Sequence, residues 1–208
     1  MKNILIHGLG QNNRDWDTIK TVLEARGISS IAPDLFDLAR GRKLDYPTVY
    51  QAFSELCESY QDKLNLCGLS LGGLLALNYA IQYPRKINSL VLIGTPFEIP
   101  KGLLKFQNFV FKLIPKSAFQ SMGVSKKDFI RLSKSMAELN FMESAATLDC
   151  PTLILCGAKD KTNMESAKRF HEAMKNSKLV IVEASGHEVN KDNPRKLVSI
   201  LQDFWVDN

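Results

Sequence analysis

The stretch Leu64-Asn65-Leu66-Cys67-Gly68-Leu69-Ser70-Leu71-Gly72-Gly73-Leu74-Leu75-Ala76 starts as a short apolar run, turns at glycines and continues as an apolar helical run. Ser70 stands at the turn, with Gly68, Gly72 and Gly73 around it. A tight strand-to-helix turn strains its central residue and leaves no room for neighbouring side chains. It lifts a hydroxyl clear of the sheet edge and sets it at a helix N-terminus, where free N–H groups favour developing negative charge. Gly68-Leu69-Ser70-Leu71-Gly72 therefore fits the G-x-S-x-G pattern in its required context, a strand before and a helix after. The same string also occurs in plain flexible turns. A reactive serine needs a base, and the base needs a group to orient it, so the rest of the chain decides.

The 208 residues suffice for one domain with a large core, and 45% hydrophobic with 24% charged residues is ordinary for a globular chain. A net charge of +5 and a pI near 9.0 permit an acidic partner or a membrane surface without demanding one, and nothing points to nucleic acid. Cys57, Cys67, Cys150 and Cys156 form no C-x-x-C pair and no His/Cys cluster, so they read as reduced structural thiols and no metal is expected. Met1-Lys2-Asn3 leads straight into Ile4-Leu5-Ile6-His7, leaving no room for a signal peptide. No apolar run reaches the roughly 18 residues of a membrane span, so a cytoplasmic protein is expected.

Outward from the serine stretch, strands and helices alternate. Residues 3–7 read as a buried strand ending at His7-Gly8-Leu9-Gly10, and a polar loop leads to a helix through about residue 26 carrying Trp16, Ile19, Val22 and Leu23 at helical spacing. A second strand spans 28–33 and closes on Asp34, with an irregular loop over 35–45 and a helix over about 46–61. After the serine helix, residues 87–93 form the fourth strand. Alternation resumes at Pro151 with a strand over 152–156, a helix over about 163–175, a strand over 179–183 and a helix over about 194–206. Solidly apolar strands alternating with helices predict an α/β domain, a parallel sheet covered on both faces. Residues 97–147 hold helical patterns without a strand, as a helical insertion would.

Ligands of open α/β sheets bind outside the carboxyl ends of the strands, so partners for Ser70 are sought there. Of three histidines, His7 ends the first strand, His171 lies within a helix, and His187 follows the last strand in Ala184-Ser185-Gly186-His187. Gly157-Ala158-Lys159-Asp160 follows the fifth strand. Taken alone, Asp160 reads as a turn residue or helix cap and His187 as a loop histidine. Together with Ser70, at one sheet edge and in the order Ser…Asp…His, they form a candidate catalytic triad: Ser70 as nucleophile, His187 as base, Asp160 as its orienter. The oxyanion donors are expected to be the backbone N–H groups of Leu71 and Leu9.

These residues resemble the α/β-hydrolase superfamily over nearly the whole chain. His7-Gly8-Leu9-Gly10 is similar to the family's His-Gly oxyanion motif, with Trp16 at the place of a frequent tryptophan. Ala32-Pro33-Asp34-Leu35, Gly68 to Gly73, Gly157 to Asp160, and Gly186-His187 followed by Asp192-Asn193-Pro194 resemble the family's later landmarks. The family usually opens with an antiparallel hairpin, whereas this chain starts at the His-Gly strand. The resemblance therefore implies a three-layer α/β/α fold with six mostly parallel strands in the order 2-1-3-4-5-6. The usual Pro-Gly-His-Gly after Asp34 reads Leu35-Phe36-Asp37-Leu38-Ala39 here, and a frequent proline is Met164. The resemblance implies a single domain, 1–208, with residues 97–147 as its cap, and a cofactor-free serine hydrolase of small to medium carboxylic esters acting through an acyl-enzyme. Thioesterase, lactonase and non-catalytic ligand-receptor uses of the fold stand as alternatives. A dinucleotide-binding domain is the rival for Gly8-Leu9-Gly10 and Asp34, but its third glycine is Asn13 and it leaves Asp160 and His187 unexplained.

Within the insertion, Phe106, Phe109, Val110, Leu113 and Ile114 recur at helical spacing, and Phe106, Phe109 and Leu113 are expected to line the substrate site. Lys101 to Lys134 carries eight basic residues and one acid, Asp128. This reads as a cap helix with its lysines in water, or as a basic face for an anionic partner such as an acyl-carrier protein, a CoA thioester or a membrane surface. Gly102 and Gly123 are candidate hinges.

Overall fold

Apolar residues on consecutive strand positions bury both faces of a sheet. The computed structural model describes residues 1–96, 119 and 124–207, and within them such runs form β1 (Lys2–Ile6), β3 (Leu64–Leu69), β4 (Ile87–Ile93) and β5 (Thr152–Gly157). The edge strands β2 (Ser30–Ile31) and β6 (Ser177–Val182) complete a six-stranded sheet in the order 2-1-3-4-5-6. Every pairing is parallel.

Successive side chains point to opposite faces. Ile4, Ile6, Leu64, Leu66, Leu90, Leu92, Ile154 and Cys156 join one core cluster, and Leu5, Cys67, Leu69, Val91, Ile93, Leu153 and Leu155 the other. The first face is covered by α3 (Tyr46–Glu58), α4 (Leu71–Gln82), α5 (Lys126–Ser135) and α7 (Lys161–Ala173), through residues such as Phe53, Leu75, Leu132 and Phe170. The second is covered by α1 (Asp17–Ala25) and α9 (Pro194–Val206), through Ile19, Leu23, Leu197, Leu201 and Phe204. The result is the expected three-layer α/β/α architecture, and each fully buried Leu or Ile contributes about 1.5–3 kcal/mol.

Three local readings are corrected. The interval 35–45, expected to be irregular, holds the helical turn α2 (Leu35–Leu38), because Asp34 Oδ1 accepts the N–H groups of Phe36 and Asp37 at 2.9 and 3.1 Å and caps it. That capping role engages one oxygen of the carboxylate on which the dinucleotide reading rested. The second strand is two residues long, not six; Pro33 has no N–H for a longer ladder. After His187 and Glu188, where the sequence reading placed no element, comes a short helix, α8 (Val189–Asp192). Trp16 closes a 3-10 turn, Asn13–Trp16, capped by Asn12, before α1 begins.

Within the expected insertion, α5 is capped by Ser125 and α6 (Met142–Ala145) follows. The Tyr46 N–H donates to Ser135 Oγ at 2.7 Å, which ties α5 to the start of α3. Phe106, Phe109, Val110, Leu113, Ile114, Gly102 and Gly123 lie outside the described residues. No helix among the described residues is long and apolar enough to cross a membrane. All four cysteines are free thiols, and burial pushes those of Cys57 and Cys67 well above their ordinary range.

Candidate active site

Ser70 sits between β3 and α4 with φ 52° and ψ −110°, a left-handed backbone that side-chain-bearing residues rarely adopt. The geometry follows from how tightly α4 is drawn onto the sheet. A Cβ on Gly72 would lie 2.2 Å from the Ile6 carbonyl oxygen, and one on Gly68 would lie 2.3 Å from that of Gly72. One on Gly73 would overlap the Thr95 hydroxyl. The Ser70 N–H donates to Ile93 O at 2.8 Å and holds the turn to the end of β4. Its hydroxyl makes no capping bond to α4. Leu71 heads α4, where first-turn N–H groups have no partner within the helix.

The turn after β1 comes up beside Ser70: a Cβ on Gly8 would lie 3.5 Å from Ser70 Cβ. Leu9 lies in this turn. Gly8 O accepts the Gln11 N–H at 3.2 Å and the His7 Nδ1–H at 3.0 Å, while His7 Nε2 accepts the Leu35 N–H at 3.0 Å. His7 is fully buried, and burial pulls its pKa below the ordinary value against the opposing pull of Asp34 and Asp15. It acts as a neutral strut between the Gly8–Leu9 turn and α2.

Asp160 and His187 are brought into direct contact, His187 Nδ1 standing 2.7 Å from Asp160 Oδ2. A carboxylate only accepts, so the imidazole proton lies on Nδ1 and the Nε2 lone pair is left free. The Asp160 side chain is 5% exposed and that of His187 is 41% exposed, so the acid is enclosed while the ring reaches the surface. Burial pushes the Asp160 carboxyl upward, but hydrogen bonds from His187 and Asn163 outweigh it and hold the group below the usual range. Asp160 is at the same time the N-cap of α7, the role it was given when read alone.

Backbone contacts join the loops. A Cβ on Gly157 would lie 2.1 Å from Gly186 O, and the Lys159 N–H donates to Ser185 O at 2.9 Å. Gly94, which follows β4 and has φ 52°, faces the acid–base pair, since a Cβ there would lie 3.0 Å from His187 Nδ1 and 3.3 Å from Asp160 Oδ2. Ser70 and His187 thus both lie against the end of β4. Among the described residues, the non-glycine positions with positive φ are Ser70 and Ala184, one in the serine turn and one in the loop that carries His187. Backbone strain of this kind gathers at functional sites.

Sequence reading missed a set of polar residues here. Asn163 bonds both oxygens of Asp160. Gln11, 2% exposed, donates from Nε2 to Glu188 Oε1 at 2.8 Å and to Asn190 Oδ1 at 3.2 Å, while Asn190 Nδ2 donates back to Gln11 Oε1 at 3.3 Å. Lys191 joins Asp15 and Glu188 at 3.0 and 3.2 Å. This network clips the turn beside Ser70 to the segment after His187. Its one sequence signal was a run of polar residues between apolar elements, which reads as solvated loop. His171 lies on α7 and bonds Ser177, away from the other candidates. Among the described residues no group of three or more His, Cys, Asp or Glu side chains is placed to hold a metal ion.

Sheet order, the strained serine turn and the acid–base pair at one sheet edge define the class, and the sequence profile of the Alpha/beta hydrolase family matches residues 4–200. The chain belongs to that family. Lipase 3 of Moraxella sp. is 28% identical, the match covering 88% of this chain and 70% of the lipase. The 2-hydroxy-6-oxo-2,4-heptadienoate hydrolase of Pseudomonas putida is 25% identical, with 97% and 87% covered. Among solved structures, an esterase of Thermogutta terrifontis superposes with a TM-score of 0.83 at 19% identity, covering 100% of this chain and 90% of that one.

Proposed function

We propose that this chain is a serine hydrolase of small to medium carboxylic esters. The observation that carries the reading is the 2.7 Å bond from His187 Nδ1 to the enclosed Asp160 carboxylate, which frees Nε2 as a base at the sheet edge where Ser70 is held at φ 52°. The esterase and lipase names among the relatives support the choice of an ester.

In this mechanism Ser70 Oγ attacks the ester carbonyl as its proton passes to His187 Nε2. The tetrahedral oxyanion is met by the N–H groups of Leu71 and Leu9. Collapse breaks the carbonyl–alkoxy bond, and the His187 proton leaves with the alcohol. Water, deprotonated by His187, then attacks the acyl-Ser70 ester, and collapse returns the proton to Ser70 Oγ and releases the acid. Asp160 holds the imidazole tautomer and stabilises the imidazolium at each stage. The insertion acts as cap, with Phe106, Phe109 and Leu113 offering the apolar wall for the acyl group.

The test is turnover of p-nitrophenyl esters from acetate to decanoate by the wild type and by Ser70→Ala. Turnover by the wild type and a loss on the order of a million-fold in kcat for the variant are expected. Activity that survives in Ser70→Ala, or none at any chain length in the wild type, overturns the reading.

A further inference from the structure

Asn163, 8% exposed, is the third residue of α7, and its side chain is turned back over the helix start. Its amide nitrogen lies 3.0 Å from Asp160 Oδ1, 2.9 Å from Oδ2 and 3.2 Å from His187 Nδ1. Its backbone N–H adds a bond to Oδ1 at 3.3 Å. The amide must present its NH2 end, since the opposite orientation would set its oxygen against two carboxylate oxygens. The His187 Nδ1–H already donates to Oδ2, so the 3.2 Å approach is that of two donors converging on one carboxylate. Capping α7 requires only the backbone N–H at this position, which any residue but proline supplies. The side-chain bonds are extra, and they go to the acid–base pair.

We propose that Asn163 is a positioning residue for that pair, a role that rests on the ester-hydrolase reading. Its amide bridges both oxygens and fixes the plane of the Asp160 carboxylate, so that Oδ2 faces Nδ1. In an enclosed site it takes the place water fills around an exposed carboxylate. Its N–H dipoles also offset part of the carboxylate's charge and turn their positive ends toward the imidazole. Both effects set positive charge against the imidazole.

Among the described residues, the other groups around the pair leave this role to Asn163. Cys156 lies beneath, its Sγ 3.7 Å from Asp160 O, with its thiol pushed up to about 11 and so neutral. Lys159 and Lys161 flank Asp160 in the chain and are exposed. Glu188 is engaged by Gln11 and Lys191, and Asp192 accepts the Gly186 N–H at 2.7 Å. The β4 turn contributes Gly94 and Thr95, which carry no charge.

The experiment compares wild type, Asn163→Leu, Asn163→Asp and Asn163→Ser by two readouts. One is the pH profile of kcat/KM on p-nitrophenyl butyrate. The other is NMR titration of the His187 ring, assigned by its loss in His187→Asn, which requires no turnover. In Asn163→Leu, kcat is expected to fall about ten- to a hundred-fold with little change in KM. The acidic limb and the His187 titration should both move up by about 0.5–1 pH unit. Asn163→Asp should move them further, and Asn163→Ser, which keeps one donor, should recover part of the loss. If Asn163→Leu does not fold, the polar pair decides. A His187 titration unmoved in the folded variants, or an unchanged kcat, overturns the proposal. A wild type inert on every ester overturns the function alone, because the ring titration still decides Asn163.

Discussion

Ser70 and His187 stand at one sheet edge but are held there by different forces. The serine turn is held by backbone: three nearby glycines let α4 press against β1 and Thr95, and one N–H anchors the turn to Ile93. The histidine loop has one such backbone contact, Gly157 against Gly186 O, but is tied as well by side chains from far along the chain. Asp160 lies 27 residues before His187, and Gln11 reaches Glu188 across 177. Contacts between backbones admit no added atom, so the first region should fail abruptly. Hydrogen-bonded side chains can be removed one at a time, so the side-chain part of the second should fail by degrees.

The largest contrast is expected from Gly72→Ala. Its new methyl would stand 2.2 Å from Ile6 O and 2.7 Å from His7 O, both backbone atoms that cannot swing away. A loss of about 3–5 kcal/mol, or failure to fold, is expected in urea unfolding. A loss under about 1 kcal/mol would mean that α4 slides freely and would dissolve the contrast.

Gln11→Leu tests the graded side. It strips partners from Glu188 and Asn190 while nearly keeping volume. We expect a stability loss of about 2 kcal/mol and a kcat loss of about tenfold in a folded protein. Because Asn190 shares those bonds, Gln11→Leu with Asn190→Ala should cost less than the sum of the two single changes. Full additivity would show that the network does not act as a unit.

The smallest expected effect is a pH slope from His7. Burial lowers its pKa in the fold, so the unfolded chain binds the proton more readily. The stability it contributes is complete above the unfolded value of about 6.5 and is lost as pH falls toward the folded one, by at most about 1.4 kcal/mol per pH unit. Urea unfolding of the wild type should show this slope below about pH 6.5. His7→Leu, though less stable overall, should show a flatter one. Equal slopes would remove His7 from the account.

The elbow, the strand alternation and the order Ser70, Asp160, His187 were legible because each depends on neighbours in sequence or on the rule that loops gather at strand ends. The helix limits of α9 were legible too, since Asn193 and Pro194 mark its start. The α2 turn was not, because Asp34 serves equally as a strand end, a ligand or a cap until its carboxylate is seen to accept two N–H groups. Gln11, Asn163 and Asn190 were not, because an amide buried in a network and one in solvent look alike in sequence.

By itself the sequence determined the α/β class, the strained turn at Ser70 and the residue types that follow each strand, because hydrophobic period and glycine spacing act over a few residues; the order of the sheet followed from the family resemblance. Tertiary structure alone decided that Asp160 both caps α7 and holds His187, that Asn163 bridges the carboxylate, and that Gln11 ties the turn beside Ser70 to the histidine loop. Those are contacts between segments far apart in the chain, and hydrogen bonds gain their strength and direction only once the fold has removed water from around them.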